Sequence, residues 1–217
     1  MFTGIIEEKG RVLSLQRTGE AIVMTVAAPK ILQDVRMGDS ISVNGVCLTV
    51  TSFTSESFTV DMMPETVRGT SLKETGEGSQ VNLERAMSAG GRFGGHFVSG
   101  HVDGIGKIIS KRADHNAVYY EIEIESKLRP YFTLKGSVSI DGTSLTVFGV
   151  TDRTFTISII PHTLEETIIG QKEAGSVVNI EVDMLAKYVE ELLQHKFRIQ
   201  DNLEPVTEDF LKEHGFK

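Results

Sequence analysis

Leu and Val alternate with small polar residues through Asn44-Gly45-Val46-Cys47-Leu48-Thr49-Val50, and the pattern returns in Asp141-Gly142-Thr143-Ser144-Leu145-Thr146-Val147. Each copy opens on a pair suited to a tight turn and continues with period-two alternation, which places Leu and Val on one strand face. The other face carries Cys47 and Thr49 in the first copy and Ser144 and Thr146 in the second. Such a hydrogen-bonding edge suits a polar ligand or plain water. Alternation and turn residues predict further strands from Gly10 to about Gln16, Ala21 to Ala28, Ser40 to Val43, Val46 to Phe53, Phe58 to Met62 and Gln80 to Leu83. Pro64-Glu65-Thr66 reads as the start of a short helical turn.

The second half repeats this order. Val98-Ser99-Gly100-His101-Val102 answers Phe2-Thr3-Gly4-Ile5-Ile6, Pro161-His162-Thr163 answers Pro64-Glu65-Thr66, and Ser176 to Glu181 answers Ser79 to Glu84. The offset is 96 residues early and 97 later, which places a one-residue insertion in the loop near Pro130. Collinearity through several segments implies duplication. Tyr120, Ile122 and Ile124 alternate with Glu121, Glu123 and Glu125, a half-buried strand whose glutamates form a solvated face. About six short strands per half and almost no helix predict an all-β chain of two six-stranded antiparallel barrels. The glycine-rich stretch from Ser88 to Gly95 reads as a flexible hinge between them. Domains are expected at 1–97, 98–184 and 185–217. The period becomes helical only behind Asp183, with Leu185, Tyr188, Val189 and Leu192 on one stripe that either packs on its own barrel or meets other subunits. A weaker helical stretch runs from Thr207 to His214.

Composition narrows the function classes. Apolar residues make up 40% of the 217 and charged residues 24%, enough for real cores. The net charge of −8, with no basic cluster, argues against nucleic acid and anionic membrane surfaces. The N-terminus lacks the features of a signal peptide, no segment has membrane-spanning length, and the lone cysteine fits a reducing cytoplasm. That cysteine, Cys47, shares its strand face with Thr49 and occupies the position of Ser144 in the repeat, so it reads as part of a polar pocket edge rather than as core. His96 and His101 fall on opposite strand faces, which disfavours a shared metal and leaves proton transfer or hydrogen bonding to a heterocycle. The glycine pairs lack the partners of a phosphate loop.

Met1 to Ile6, Asn44 to Val50, Gly95 to Asp103, Asp141 to Val147 and Ile160-Pro161-His162-Thr163-Leu164 together resemble the riboflavin synthases of the trimeric alpha-chain type, over a span from Met1 to about Leu193. The resemblance implies two Greek-key lumazine-binding barrels, a C-terminal helix that joins a homotrimer, and no metal or cofactor. It also implies the closing reaction of riboflavin biosynthesis. Two molecules of 6,7-dimethyl-8-ribityllumazine dismutate by transfer of a four-carbon unit, giving riboflavin and 5-amino-6-ribitylaminouracil. The family's site is a sandwich of the first barrel of one subunit and the second barrel of its neighbour. A docking partner in the lumazine-forming enzyme, lumazine synthase, is a further expectation.

By motif matching, the resemblance sets one lumazine against Phe2, Gly4, Ile5 and Ile6, Cys47, Leu48 and Thr49, Asp61, Met62, Met63, Pro64, Glu65 and Thr66, and Gly100, His101 and Val102. The second meets Lys135, Ser144, Leu145 and Thr146, and Ile160, Pro161, His162, Thr163, Leu164 and Glu165. The C7 methyl of the substrate is acidic, so catalysis requires a favoured carbanion and an acceptor activated at C7. The candidates are His101 for proton transfer, Cys47 or Ser40 for a nucleophile at C7, and Lys135 or Asp183 for electrostatic assistance. Two rival readings are a non-catalytic lumazine- or flavin-binding relative, as in light-emission antennae, and a ligand-free structural barrel pair. The first needs only one good pocket, and the second leaves two polar edges unexplained.

Overall fold

A computed structural model describes residues 1–18, 21–201 and 208–215. Twelve strands form two closed antiparallel barrels. The first contains β1 (Glu8–Thr18), β2 (Ala21–Ala27), β3 (Ser40–Val43), β4 (Val46–Phe53), β5 (Ser57–Met62) and β6 (Gln80–Arg85). The second contains β7 (Gly104–Asp114), β8 (Ala117–Glu123), β9 (Ser137–Ile140), β10 (Thr143–Val150), β11 (Thr154–Ile159) and β12 (Val177–Val182). The spatial order β1-β2-β5-β4-β3-β6 recurs as β7-β8-β11-β10-β9-β12, a Greek-key order in which the second strand neighbours the fifth. The extra residue of the second half falls between β8 and β9, where Pro130 lies within a 3₁₀ turn, Ser126–Tyr131.

Alternation builds each core. Met24, Val26, Ile41, Val43, Val50, Phe58, Val60, Val81 and Leu83 fill the first barrel, and Ile108, Tyr120, Ile122, Val138, Ile140, Val147, Phe155, Ile157, Val178 and Ile180 the second. Glu123 and Glu125 face out and pair with Arg153 and Lys127, as a solvated strand face should. β6 and β12 depart from the usual one-wet-face pattern. Val81 and Leu83 fill their own barrel, yet Asn82 and Glu84 on the other face are also buried, and Asn179 and Glu181 repeat this in β12. Those polar faces meet the other barrel. Asn82 donates through Nδ2 to the Asp141 carbonyl at 2.9 Å and accepts at Oδ1 from the Ile168 amide at 2.8 Å. Asn179 reciprocates with the Asn44 carbonyl at 2.8 Å and the Ser71 amide at 2.6 Å.

Short helices follow the fifth strand of each barrel, α1 (Pro64–Gly69) and α2 (Pro161–Glu166), both with proline in the first turn where its missing N–H costs nothing. Beyond the barrels the chain forms α3 (Met184–Asp201), immediately after Asp183, and α4 (Glu208–Glu213). Thr207, the first residue of the expected second helical stretch, lies outside the described residues. No helix among the described residues is long and apolar enough to cross a membrane. The stretch expected to be a free hinge is pinned at its end. The His96 amide donates to the Thr3 carbonyl at 3.1 Å, and a Cβ on Gly95 would collide with that same carbonyl and with Ser144. Close backbone packing is the constraint that composition alone did not convey.

Candidate functional site

Two polar walls stand at equivalent places on the barrels. In the first, Ser40 pairs with Thr49 and Ser42 with Cys47 across β3 and β4. In the second, Ser137 pairs with Thr146 and Ser139 with Ser144 across β9 and β10. Cys47 and Ser144 are each half-buried, whereas Thr49 and Thr146 are exposed. The end of β5 lies beside the start of β4 by the antiparallel register, which brings Asp61, Met63 and the α1 residues Pro64, Glu65 and Thr66 to the first wall. The same register of β10 and β11 brings Ile160, Pro161, His162, Thr163 and Glu165 to the second.

Leu48 and Met62 turn their side chains into the first core, which leaves them their backbone for a ligand, whereas Leu145 and Leu164 pack against the second core while staying partly exposed. Phe2 is fully buried and bridges Val98, its ring beside Gly100, which makes it a support beneath the walls rather than a lining residue.

The structure regroups one expected set. Gly4, Ile5 and Ile6 were expected beside Cys47, but the Ser144 amide donates to the Gly4 carbonyl at 2.7 Å, which puts this segment on the second wall. The reciprocal bond, from the Cys47 amide to the Gly100 carbonyl at 2.8 Å, puts Gly100, His101 and Val102 on the first. Val102 packs on the first barrel's core although it precedes the first strand of the second. The physical reason is the Phe2–Val98 bridge, at which the segments entering the two barrels pair with each other and cross. Gly4 and Gly100 adopt φ +79° and +82°, and a Cβ on either would come 2.6 Å from the Cβ of Ser144 or Cys47. Only glycine permits that conformation and that approach.

Buried carboxylates hold both crossing segments. Glu84 accepts from the Thr3 amide at 2.6 Å, the Thr3 hydroxyl at 2.9 Å and the Gly4 amide at 3.0 Å. Glu181 accepts from the Ser99 amide at 2.6 Å, the Ser99 hydroxyl at 2.7 Å and the Gly100 amide at 3.0 Å. Burial pushes the Glu84 carboxyl above its usual range, and the bonds from Thr3 and Gly4 oppose that rise.

The walls share a backbone frame but not their chemistry. The first carries the Cys47 thiol and an exposed His101. At the second, the Ser144 hydroxyl pairs with His96 Nδ1 at 2.6 Å, while His96 Nε2 is buried with no hydrogen-bond partner among the described residues. Burial lowers the His96 pKa below its usual value, and the charge of Asp183 opposes this. Lys135 lies at φ +68°, where its repeat counterpart is Gly38, and its ammonium sits 4.3 Å from the centre of the Phe148 ring. Phe148 follows Ser144 and Thr146 on β10, so this cation lies beside the second wall. Among the described residues no group of three His, Cys, Asp or Glu side chains could hold a metal.

Sequence reasoning singled out His96 without assigning it to a wall, and it missed Asn82, Glu84, Asn179 and Glu181. Their signal was the repeat itself. Asn and Glu recur at matching places in Ser79 to Glu84 and Ser176 to Glu181, an identity that a merely wet strand face does not require.

The lumazine binding domain model matches residues 3–86 and again 99–183. The chain is 55% identical to the riboflavin synthase of Bacillus subtilis (strain 168), and 53% identical to that of Bacillus amyloliquefaciens, over the full length of each protein. Its fold is similar to that of LumP in a crystal structure complexed with riboflavin, at a TM-score of 0.77 and 26% identity, over 84% of this chain and 99% of that one.

Proposed function

The chain belongs to the riboflavin synthase family, and from that premise we propose that its two walls each hold one lumazine and that the two ligands react with one another. The enzyme transfers a four-carbon unit between two molecules of 6,7-dimethyl-8-ribityllumazine, producing riboflavin and 5-amino-6-ribitylaminouracil. One observation carries the two-site reading. A reaction whose donor and acceptor are the same compound needs two similar frames with different chemistry, and the Cys47 and Ser144 walls have that relation. Holding both molecules in reacting geometry replaces a bimolecular encounter and supplies much of the rate.

In this reading the first wall consists of Ser40, Cys47, Thr49, Asp61 to Thr66 and Gly100 to Val102. The second consists of Gly4 to Ile6, Lys135, Ser144 to Thr146 and Ile160 to Glu165, with His96 behind Ser144. His101 exchanges the proton of the acidic C7 methyl, the hydroxyl of Ser40 or the thiol of Cys47 manages the nucleophile at C7, and Lys135 or Asp183 gives electrostatic assistance. The Ser144–His96 pair supplies a second hydrogen-bonding unit whose proton position follows the imidazole tautomer.

The working assembly is a cytoplasmic homotrimer in which the first barrel of one chain faces the second barrel of its neighbour. The domains divide as 1–97, 98–184 and 185–217, and α3 joins the subunits. Support for that role comes from Leu185, Tyr188, Val189, Leu192 and Leu193, all exposed in the single chain. Lumazine synthase remains a candidate docking partner of this assembly. The rival reading is ligand binding without turnover, suggested by the fold shared with LumP. Incubating the purified protein with 6,7-dimethyl-8-ribityllumazine and following riboflavin by absorbance decides between them. Turnover is expected, and tight binding without product would favour the rival.

A further inference from the structure

The last strand of each barrel carries, one residue before its end, a buried glutamate whose bonds lead, in one further step, to the other barrel's wall. Glu181 on β12 holds the Ser99 and Gly100 amides, and the Gly100 carbonyl then receives the Cys47 amide of β4 at 2.8 Å. Glu84 on β6 holds the Thr3 and Gly4 amides, and the Gly4 carbonyl receives the Ser144 amide of β10 at 2.7 Å. We propose that these glutamates are crosswise positioning residues: Glu181 of the second barrel sets the Cys47 wall, and Glu84 of the first barrel sets the Ser144 wall. The inference rests on the reading of the two walls as lumazine sites.

Both oxygens of each carboxylate act as acceptors, and the three donors converge on one crossing segment. Bonds from amides to a buried carboxylate are short and strong, and they fix the peptide plane that presents the glycine carbonyl. Glutamine would turn an N–H towards at least one of those donors, so the isosteric change breaks part of the clamp and removes its charge without removing bulk. On the first wall the clamp extends further. The Ser99 hydroxyl donates to Glu181 and accepts from the His101 amide at 3.2 Å, which ties the backbone of the proposed proton-transfer residue to the same carboxylate. A substrate wall in one barrel is thereby shaped by a charge belonging to the other.

Hydrogen exchange read by mass spectrometry on the full chain, with and without riboflavin as probe, tests this. Glu181→Gln is expected to speed exchange of residues 44–50 by about tenfold or more while leaving residues 141–147 unchanged, and Glu84→Gln the reverse. Riboflavin protection of the affected segment should weaken in the same crosswise sense. Ser99→Ala and Thr3→Val, which each remove a single donor, should give smaller effects of the same sense, and they carry the test if either glutamine variant fails to fold. Equal changes in both segments, or changes confined to the barrel that carries the substitution, would overturn the proposal. Crosswise exchange with riboflavin protection unaltered in both segments would instead overturn the reading of the walls as ligand sites.

Discussion

At the scale of single residues, the two walls differ most in one imidazole. His96 supports Ser144 at 2.6 Å, and its burial keeps it neutral to lower pH than its ordinary value of 6.5. The folded chain therefore takes up this proton at lower pH than the unfolded chain does. The stability that depends on a neutral ring is complete above the unfolded value and is lost as pH falls from about 6.5 towards the lowered folded value. Denaturant midpoints measured between about pH 5.5 and 7.5 should fall on acidification, and His96→Gln should flatten that dependence. The asparagines work differently. Asn82 and Asn179 spend donors and acceptors on backbone groups of the opposite barrel, so they satisfy buried polar groups that would otherwise be costly.

At the scale of elements, the crossing segments matter more than any regular strand. They pair with each other at the isolated bridge of Phe2 to Val98 rather than in a regular strand, yet they deliver a carbonyl to each wall where a β-carbon cannot fit. Gly100→Ala would impose φ +82° on a side chain and drive its Cβ to within 2.6 Å of Cys47. The expected cost is about 2–4 kcal/mol, with activity reduced further than stability explains. Gly76→Ala is the control, because nothing lies within 4 Å of its added carbon and the effect should stay within about 0.5 kcal/mol. Thermal melts together with steady-state kinetics distinguish the two. β6 and β12 show why an element can be buried on both faces while its sequence still alternates: its polar face meets the other barrel instead of water.

At the scale of the whole molecule, duplication supplies two frames, and in the proposed assembly α3 brings frames from different chains together. A chain ending at Met184 keeps both barrels and loses α3. Sedimentation should show it to be monomeric, and riboflavin formation should drop by roughly two orders of magnitude or more, since the effective concentration of the facing pocket is lost. Full activity in a demonstrated monomer would refute the intersubunit site. By itself the sequence determined the two six-stranded barrels, the short helices after Pro64 and Pro161 and the terminal helix. All of these follow from local period, turn chemistry and repetition, which are written residue by residue. It also carried the two polar walls, because Cys47 and Ser144 recur at one register position. Only the tertiary structure decided which segment completes which wall, that Phe2 lies buried beneath the walls, and that Asn82, Glu84, Asn179 and Glu181 are buried. Those outcomes depend on backbone carbonyls and amides meeting across barrels. A backbone group is the same in every residue, so no side-chain pattern records its partner.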